Sequence, residues 1–219
     1  MTPFRPRLEI LPPEQRALWP ELARVPRSFV LYGGTGLALR LGHRTSVDFD
    51  FFAHDPLDHR ALERDLPWLR EGEALQEEAN ARVVLVRASG GVVKVSLFGR
   101  IGFGRVGEPE ATEDGFVRVA SLLDLAGTKV KALLQRVEAK DYLDIAAVLK
   151  TGLPLEQILG AARALFGPAF NPLIAQKTLA YFEGGDLASL PADVQQLLIT
   201  HATRDAEAPD LPRRSDRLD

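Results

Sequence analysis

Residues 31–52 read LYGGTGLALRLGHRTSVDFDFF, and this stretch decides what the chain is expected to become. A short apolar strand over 29–32 breaks at Gly33-Gly34. A leucine-rich helix over 35–41 ends at Gly42, and a second strand over 47–52 carries Asp48 and Asp50. Side chains two apart on a strand share a face, roughly 6–7 Å apart by the rise per residue. The two aspartates therefore project together, with Val47, Phe49 and Phe51 expected on the opposite, apolar face. Two like charges so placed repel unless a cation lies between them. Mg²⁺ suits that role, with Mn²⁺ as the alternative, because it takes one or two carboxylates and completes its shell with phosphate oxygens. The Gly33-Gly34 turn, with Thr35 after it, offers backbone N–H groups at a helix start, a seat for such phosphates. The bland readings are a solvated D-x-D edge and an ordinary strand-to-helix turn. Against the first, the alternation in VDFDFF points to a central strand, where carboxylates need a partner.

Bulk properties bound the rest. The chain has 219 residues, 46% hydrophobic and 26% charged, a net charge of −3 and no cysteine. These are ordinary values for a globular protein able to bury a core. The mild negative charge speaks against a general nucleic-acid-coating protein, though not against a local basic patch. Disulfide, cysteine-zinc and thiol chemistry are excluded. No stretch reads as a signal peptide or reaches transmembrane length, so a cytoplasmic protein without membrane contact is expected.

Outward from 31–52, a helix is predicted over 14–24, another over 58–69 with Asp58 as N-cap, and strands near 74–78, 81–87, 92–98 and 116–119. The Ser89-Gly90-Gly91 turn makes the middle pair a hairpin. The fold class is α+β (α/β), a mixed sheet flanked by helices. From 121 onward only helices are predicted: 121–136, 141–150, 155–166, 172–182 and 192–200. The expected organisation is a sheet-containing core over 1–120, a helical domain over 121–203, and a disordered tail over 204–219, rich in proline and both charge signs.

Other phosphate and metal motifs fail on single residues. A dinucleotide fingerprint from Gly34 would need a small residue where Leu39 stands. No Gly-Lys-Ser/Thr is present for a P-loop. A calcium loop from Asp48 would need glycine at Ala53. A haloacid-dehalogenase-type phosphatase would need Thr or Val at Phe52. Arg44 lies between the phosphate seat and the aspartates, and Ser46 shares the aspartates' face. A second constellation, DLAGTKVKALLQRVEAKDYLDIAAVL, spans 124–149. There Lys129 lies on a semi-apolar helix face and needs an acidic or phosphate partner. Arg136 is two turns further along much the same face. Asp141 and Asp144 open the next helix, where its dipole favours them. Capping and surface ion pairs are the bland reading of that block.

Taken together, the two blocks resemble the AbiEii/AbiGii-type (MenT-like) nucleotidyltransferase toxins of the DNA polymerase β-like superfamily. The resemblance is carried by Gly33-Gly34-Thr35, His43-Arg44-x-Ser46-x-Asp48-x-Asp50, Lys129-x-x-Ala132-Leu133-x-x-Arg136 and Lys140-Asp141-x-x-Asp144. It implies a nucleotidyltransferase core that takes an NTP. Gly33, Gly34, Thr35, Arg44, Ser46 and Arg136 would bind the nucleotide, Asp48 and Asp50 would hold the metal, and Lys129 and Asp141 would complete the catalytic set. It further implies an RNA acceptor such as a tRNA 3′ end, or a protein acceptor, and an antitoxin partner. Lys129, Lys131, Arg136 and Lys140 would supply a local basic groove. One departure stands out: the superfamily often has a third carboxylate on a later strand, where this chain has Ser96, with Lys94 nearby. That departure favours an alternative, a nucleotide-binding regulator with little turnover. For Asp141 the sequence leaves three roles open: orienting Lys129, completing a metal shell, or deprotonating an acceptor hydroxyl.

Overall fold

Proline sets the start of the chain's first helix, α1 (Pro13–Leu18), because its missing N–H costs nothing at a first turn. Pro20 then tightens the continuation into a 3₁₀ helix, Trp19–Arg24, rather than the single helix expected over 14–24. The computed structural model describes residues 3–204 and 207–219. They form two units. One comprises Met1–Gly104, Glu108–Ser121 and Ser215–Asp219, the other Arg105–Gly107 and Leu122–Arg214.

The first unit contains β1 (Val30–Tyr32), α2 (Gly33–Leu41), β2 (Asp48–Phe52), α3 (His59–Asp65), α4 (Pro67–Glu71), β3 (Glu73–Glu78), β4 (Ala81–Ala88), β5 (Gly91–Phe98), β6 (Glu110–Ala111) and β7 (Arg118–Val119). Asp58 caps α3 by accepting from the Ala61 N–H at 3.0 Å. Pro67 splits the helix expected over 58–69 into α3 and α4. The seven strands form one mixed sheet in the order β3-β4-β5-β2-β1-β7-β6, so the expected mixed sheet is present and β2 is its central strand. β2 runs antiparallel to β1 and parallel to β5.

The alternation in β2 divides the sheet into two kinds of face. Phe49 and Phe51 join Leu31, Val84, Val95 and Leu97 in a fully buried layer, with the Trp19 ring 6.1 Å from that of Phe49. Val47, expected on this face, lies before the strand begins and is 58% exposed. On the other face, Asp48 and Asp50 are followed by Phe52, whose ring stacks on Tyr32 at 5.1 Å.

The second unit is helical: α5 (Leu122–Leu133), α6 (Ala139–Lys150), α7 (Leu155–Phe166), α8 (Pro172–Thr178) and α9 (Ala192–Ala202). α5 and α7 cross closely at Gly127, where a Cβ would meet the Ala162 nitrogen at 3.1 Å. Asp124, buried at the start of α5, accepts from the N–H groups of Val106 at 2.7 Å and Gly107 at 3.0 Å, which explains why 105–107 belong to this unit. The stretch 204–219, expected to be disordered, makes specific contacts where it is described; Asp205 and Ala206 lie outside the described residues. In the second unit Arg213 donates to the Ala164 and Leu165 carbonyls at the end of α7, and Arg163 donates to Ala208 and Asp210. In the first, Arg217 forks onto Asp55 and Leu218 is buried. Composition signalled charge and proline here but not the carbonyls and carboxylate that receive the arginines. Among the described residues no helix is long and apolar enough to cross a membrane.

Truncating the ring at the centre of the apolar layer tests this architecture. Phe49→Ala should lower the free energy of unfolding by about 3–5 kcal/mol, measured by urea denaturation with an unchanged m-value.

Candidate functional site

Tyr32 ends β1 and Gly33 begins α2 directly, with a positive φ of 73° that glycine tolerates without strain. This abrupt turn presses the backbone against the polar face of β2. A Cβ on Gly33 would lie 2.9 Å from Asp50 Oδ2. One on Gly34 would lie 2.5 Å from a terminal nitrogen of Arg44 and 3.1 Å from Ser46 Oγ. The next residue locks the turn to the strand, because Thr35 Oγ1 is hydrogen-bonded to Ser46 Oγ at 2.8 Å and to the main-chain carbonyl of Asp48. Both hydroxyls are buried. Arg44 also donates to the Thr45 carbonyl at 2.9 Å. Thus Gly33, Gly34, Thr35, Arg44, Ser46, Asp48 and Asp50 meet in one cradle at the start of α2.

The parallel register of β2 with β5 adds two residues to this face. Lys94 is paired with Asp48 and Ser96 with Asp50. Lys94 Nζ lies 3.0 Å from Asp48 Oδ2, and both side chains are about one-third exposed. Solvent screens such a pair, so it contributes at most about 1 kcal/mol. Ser96 is buried and brings no charge.

Two carboxylates on one face fit Mg²⁺, which needs only one or two carboxylates when phosphate oxygens fill the remaining positions, and the glycine turn and guanidinium nearby suit those phosphates. Among the described residues no group of three His, Asp or Glu side chains is arranged to hold a metal by protein ligands alone. The fit is therefore to a metal shared with a phosphate ligand.

The second unit holds Lys129, Arg136, Asp141 and Asp144 in a cluster of its own. Lys129 on α5 is 5% exposed, and Asp141 and Asp144 on α6 are wholly buried. Lys129 Nζ donates to Asp141 Oδ1 at 2.8 Å and pairs with Asp144 Oδ2 at 2.9 Å. Helix α5 stops at Leu133, so Arg136 is in the linker and not two helical turns beyond Lys129. From there its fork donates to both oxygens of Asp141, at 2.7 and 3.0 Å. Lys129, Asp141 and Asp144 are buried and Arg136 reaches Asp141 from the surface, its side chain 45% exposed, so that two cations and two carboxylates neutralise one another. Burial alone would raise the Asp141 carboxyl, but the hydrogen bonds from Arg136 and the charge of Lys129 outweigh it and hold the group below its ordinary value of 3.8.

Sequence reasoning treated Asp144 as a helix opener and missed it as the second partner of Lys129; its three-residue spacing from Asp141 on an otherwise apolar helix was the available signal. The four basic residues expected to line a groove each have a partner within the second unit. Lys129 and Arg136 are engaged by carboxylates, Lys131 donates to the Ala169 carbonyl at 2.8 Å, and Lys140 pairs with Glu138 at 2.8 Å. Arg136 and Lys140 take partners within five residues, but Asp141 lies twelve residues from Lys129 and Ala169 thirty-eight from Lys131, so charge counting did not register them.

Residues 16–210 match a family described as nucleotidyl transferase AbiEii toxin, type IV TA system. An uncharacterized protein of Aquifex aeolicus (strain VF5), aq_aa25, is 30% identical over 158 residues, 71% of this chain and 74% of that protein. Among solved structures, JHP933 from Helicobacter pylori is similar with a TM-score of 0.56 at 19% identity, covering 86% of this chain and 87% of that one. MenT4, the nucleotidyltransferase toxin Rv2826c of Mycobacterium tuberculosis H37Rv, gives 0.55 at 15% identity, covering 87% and 86%. The two solved structures share the fold.

Two outcomes test the geometry. Gly34→Ala should keep the unfolding free energy within about 1 kcal/mol, since its φ is ordinary, yet displace Arg44 and weaken NTP binding at least about tenfold in a fluorescence titration. For Asp141, a folded-state value below the unfolded one means stability that is present above about pH 4 and lost as pH falls below it. Urea unfolding of the wild type should therefore weaken between pH 5 and pH 2 more steeply than that of Asp141→Asn.

Proposed function

Because the chain belongs to the AbiEii nucleotidyl transferase toxin family of type IV toxin–antitoxin systems, and is a nucleotidyltransferase, we propose that it moves a nucleoside monophosphate from an NTP to a hydroxyl of an RNA, such as a tRNA 3′ end, or of a protein. The observation that carries this reading is the cradle in which Gly33 meets Asp50 while Gly34 meets Arg44 and Ser46. In it, a backbone seat for phosphate adjoins the carboxylates that would hold a cation.

In the proposed reaction the acceptor oxygen bonds to the α-phosphorus, the bond to the β-phosphate oxygen breaks, and pyrophosphate leaves while the acceptor hydroxyl gives up its proton to solvent. Asp48 and Asp50 would hold Mg²⁺, or Mn²⁺ in its place, which when bound supplies charge neutralisation for the phosphates. The Gly33-Gly34 turn and Thr35 would seat the triphosphate at the start of α2. Arg44 would offset charge developing on the departing pyrophosphate. Of the three roles open for Asp141, its bonds to Lys129 and Arg136 support that of holding these cations in place. Arg136 enters as a positioning residue, its fork turned on Asp141. Lys129 and Asp141 are the further residues proposed for catalysis. Membership in a type IV toxin–antitoxin family implies a cognate antitoxin.

The test is incubation of the purified protein with each α-labelled NTP, Mg²⁺ and total tRNA, beside Asp48→Ala. Label should move to RNA or protein, and Asp48→Ala should reduce transfer at least about 100-fold without shifting the melting temperature. Nucleotide binding with no transfer to any acceptor would overturn the reading. Expression of the wild type alone should arrest growth and Asp48→Ala should relieve it; equal growth would remove the toxin role while leaving the chemistry.

A further inference from the structure

The cradle has one occupant that the transfer chemistry does not call for. Lys94 extends from β5 onto the aspartate face, register partner of Asp48, and its ammonium lies 3.0 Å from Asp48 Oδ2. Its neighbour on the same face, Ser96, is the register partner of Asp50, 2% exposed and uncharged. A hard divalent cation needs anionic or carbonyl oxygen in its shell. A pair of such ions bridging an in-line phosphoryl displacement needs enough carboxylate charge to hold both. The β5 residue beside Asp50 is Ser96, and a buried serine hydroxyl cannot supply that charge.

We propose that Lys94 stands in for a second divalent ion, so that Asp48, Asp50 and Lys94 together take one divalent cation and no more. This rests on the reading of Asp48 and Asp50 as the metal-holding pair. Charge accounting supports it. Among the groups that β2 and β5 themselves present, with Arg44 common to both cases, two carboxylates and one ammonium leave one negative charge, and one divalent ion turns this into one positive charge. Three carboxylates with two divalent ions leave the same residual charge. The lysine thus reaches the electrostatic end point of a two-ion centre with a covalently tethered cation. The ammonium suits this use, being a compact point charge on a flexible stem that can move between Asp48 and a phosphate oxygen. The pair is also partly open to solvent, so it is weak enough to yield one Asp48 oxygen to an incoming ion.

Two consequences separate this from an incidental surface ion pair. The complex binds one ion per active chain, and Lys94 lowers the affinity for that ion by competing for Asp48. Equilibrium dialysis of the full-length protein with Mn²⁺ and each of the four α,β-methylene nucleoside triphosphates, read by electron paramagnetic resonance, counts bound ions per protein–nucleotide complex. One ion is expected for the wild type; two would overturn the proposal outright. Lys94→Gln should tighten Mn²⁺ binding about fivefold, the most that a partly exposed pair accounts for, and unchanged or weaker binding would overturn it. Lys94→Gln combined with Ser96→Asp should admit a second ion, and a folded double variant that still takes one would also count against it. If the buried aspartate prevents folding, the wild-type count and the single variant still decide. Zero ions on a protein that binds nucleotide would instead remove the Asp48–Asp50 metal reading itself. That outcome is distinct from one or two ions, which bear on Lys94.

Discussion

Strand β2 has paired strands on both sides, so its backbone hydrogen bonds are satisfied and its two faces must be answered by side chains alone. One face is closed by Phe49, Phe51, Val95 and Leu97 and demands a continuous apolar layer. The other carries two carboxylates that cannot be left facing one another without compensation. Most of what is distinctive in the first unit follows from that demand. Glycines replace side chains where α2 meets the strand, because Asp50 and Arg44 already fill the space. Thr35 and Ser46 fix the turn to the strand by hydroxyl contacts, and Lys94 supplies the positive charge for Asp48.

The helical unit answers a similar demand differently. In the first unit charges remain partly open, and a phosphate ligand with its cation can complete them. In the second, Lys129, Arg136, Asp141 and Asp144 complete one another, with Asp141 and Asp144 entirely out of solvent. Removing one member leaves an uncompensated buried charge, which is more damaging than the pair is stabilising. A loss of activity on substituting Lys129 or Asp141 therefore needs a stability measurement beside it before it is assigned to chemistry. The close crossing at Gly127 belongs to the same construction, since α5 carries both the glycine and Lys129.

Much of this was legible in the residues themselves. The two-residue spacing of Asp48 and Asp50 places them on one face whatever the sheet looks like, because the strand period is 2. The glycine pair marks a backbone turn with no room for side chains, and Lys129 on a semi-apolar helix face announces a need for anionic partners. Less legible was everything that depends on which partner arrives. Helix α5 ends at Leu133, short of Arg136, and the carboxylates and carbonyls that meet the four basic residues expected to line a groove are not named by their spacing. The tail read as disordered from its composition, yet Arg213 and Arg217 have specific acceptors.

By itself, the sequence determined the local terms: periodicity, turn positions, which side chains share a strand face or a helix surface, and the joint motif that marks the nucleotidyltransferase family. Those depend on residues within a few positions of one another. Tertiary structure decided that Lys94 and Ser96 stand beside Asp48 and Asp50, because strand register is set by long-range pairing that no local spacing encodes. It likewise decided that Asp144 shares Lys129 with Asp141, because burial makes every charge seek the partner that packing brings within reach, and packing involves the whole chain.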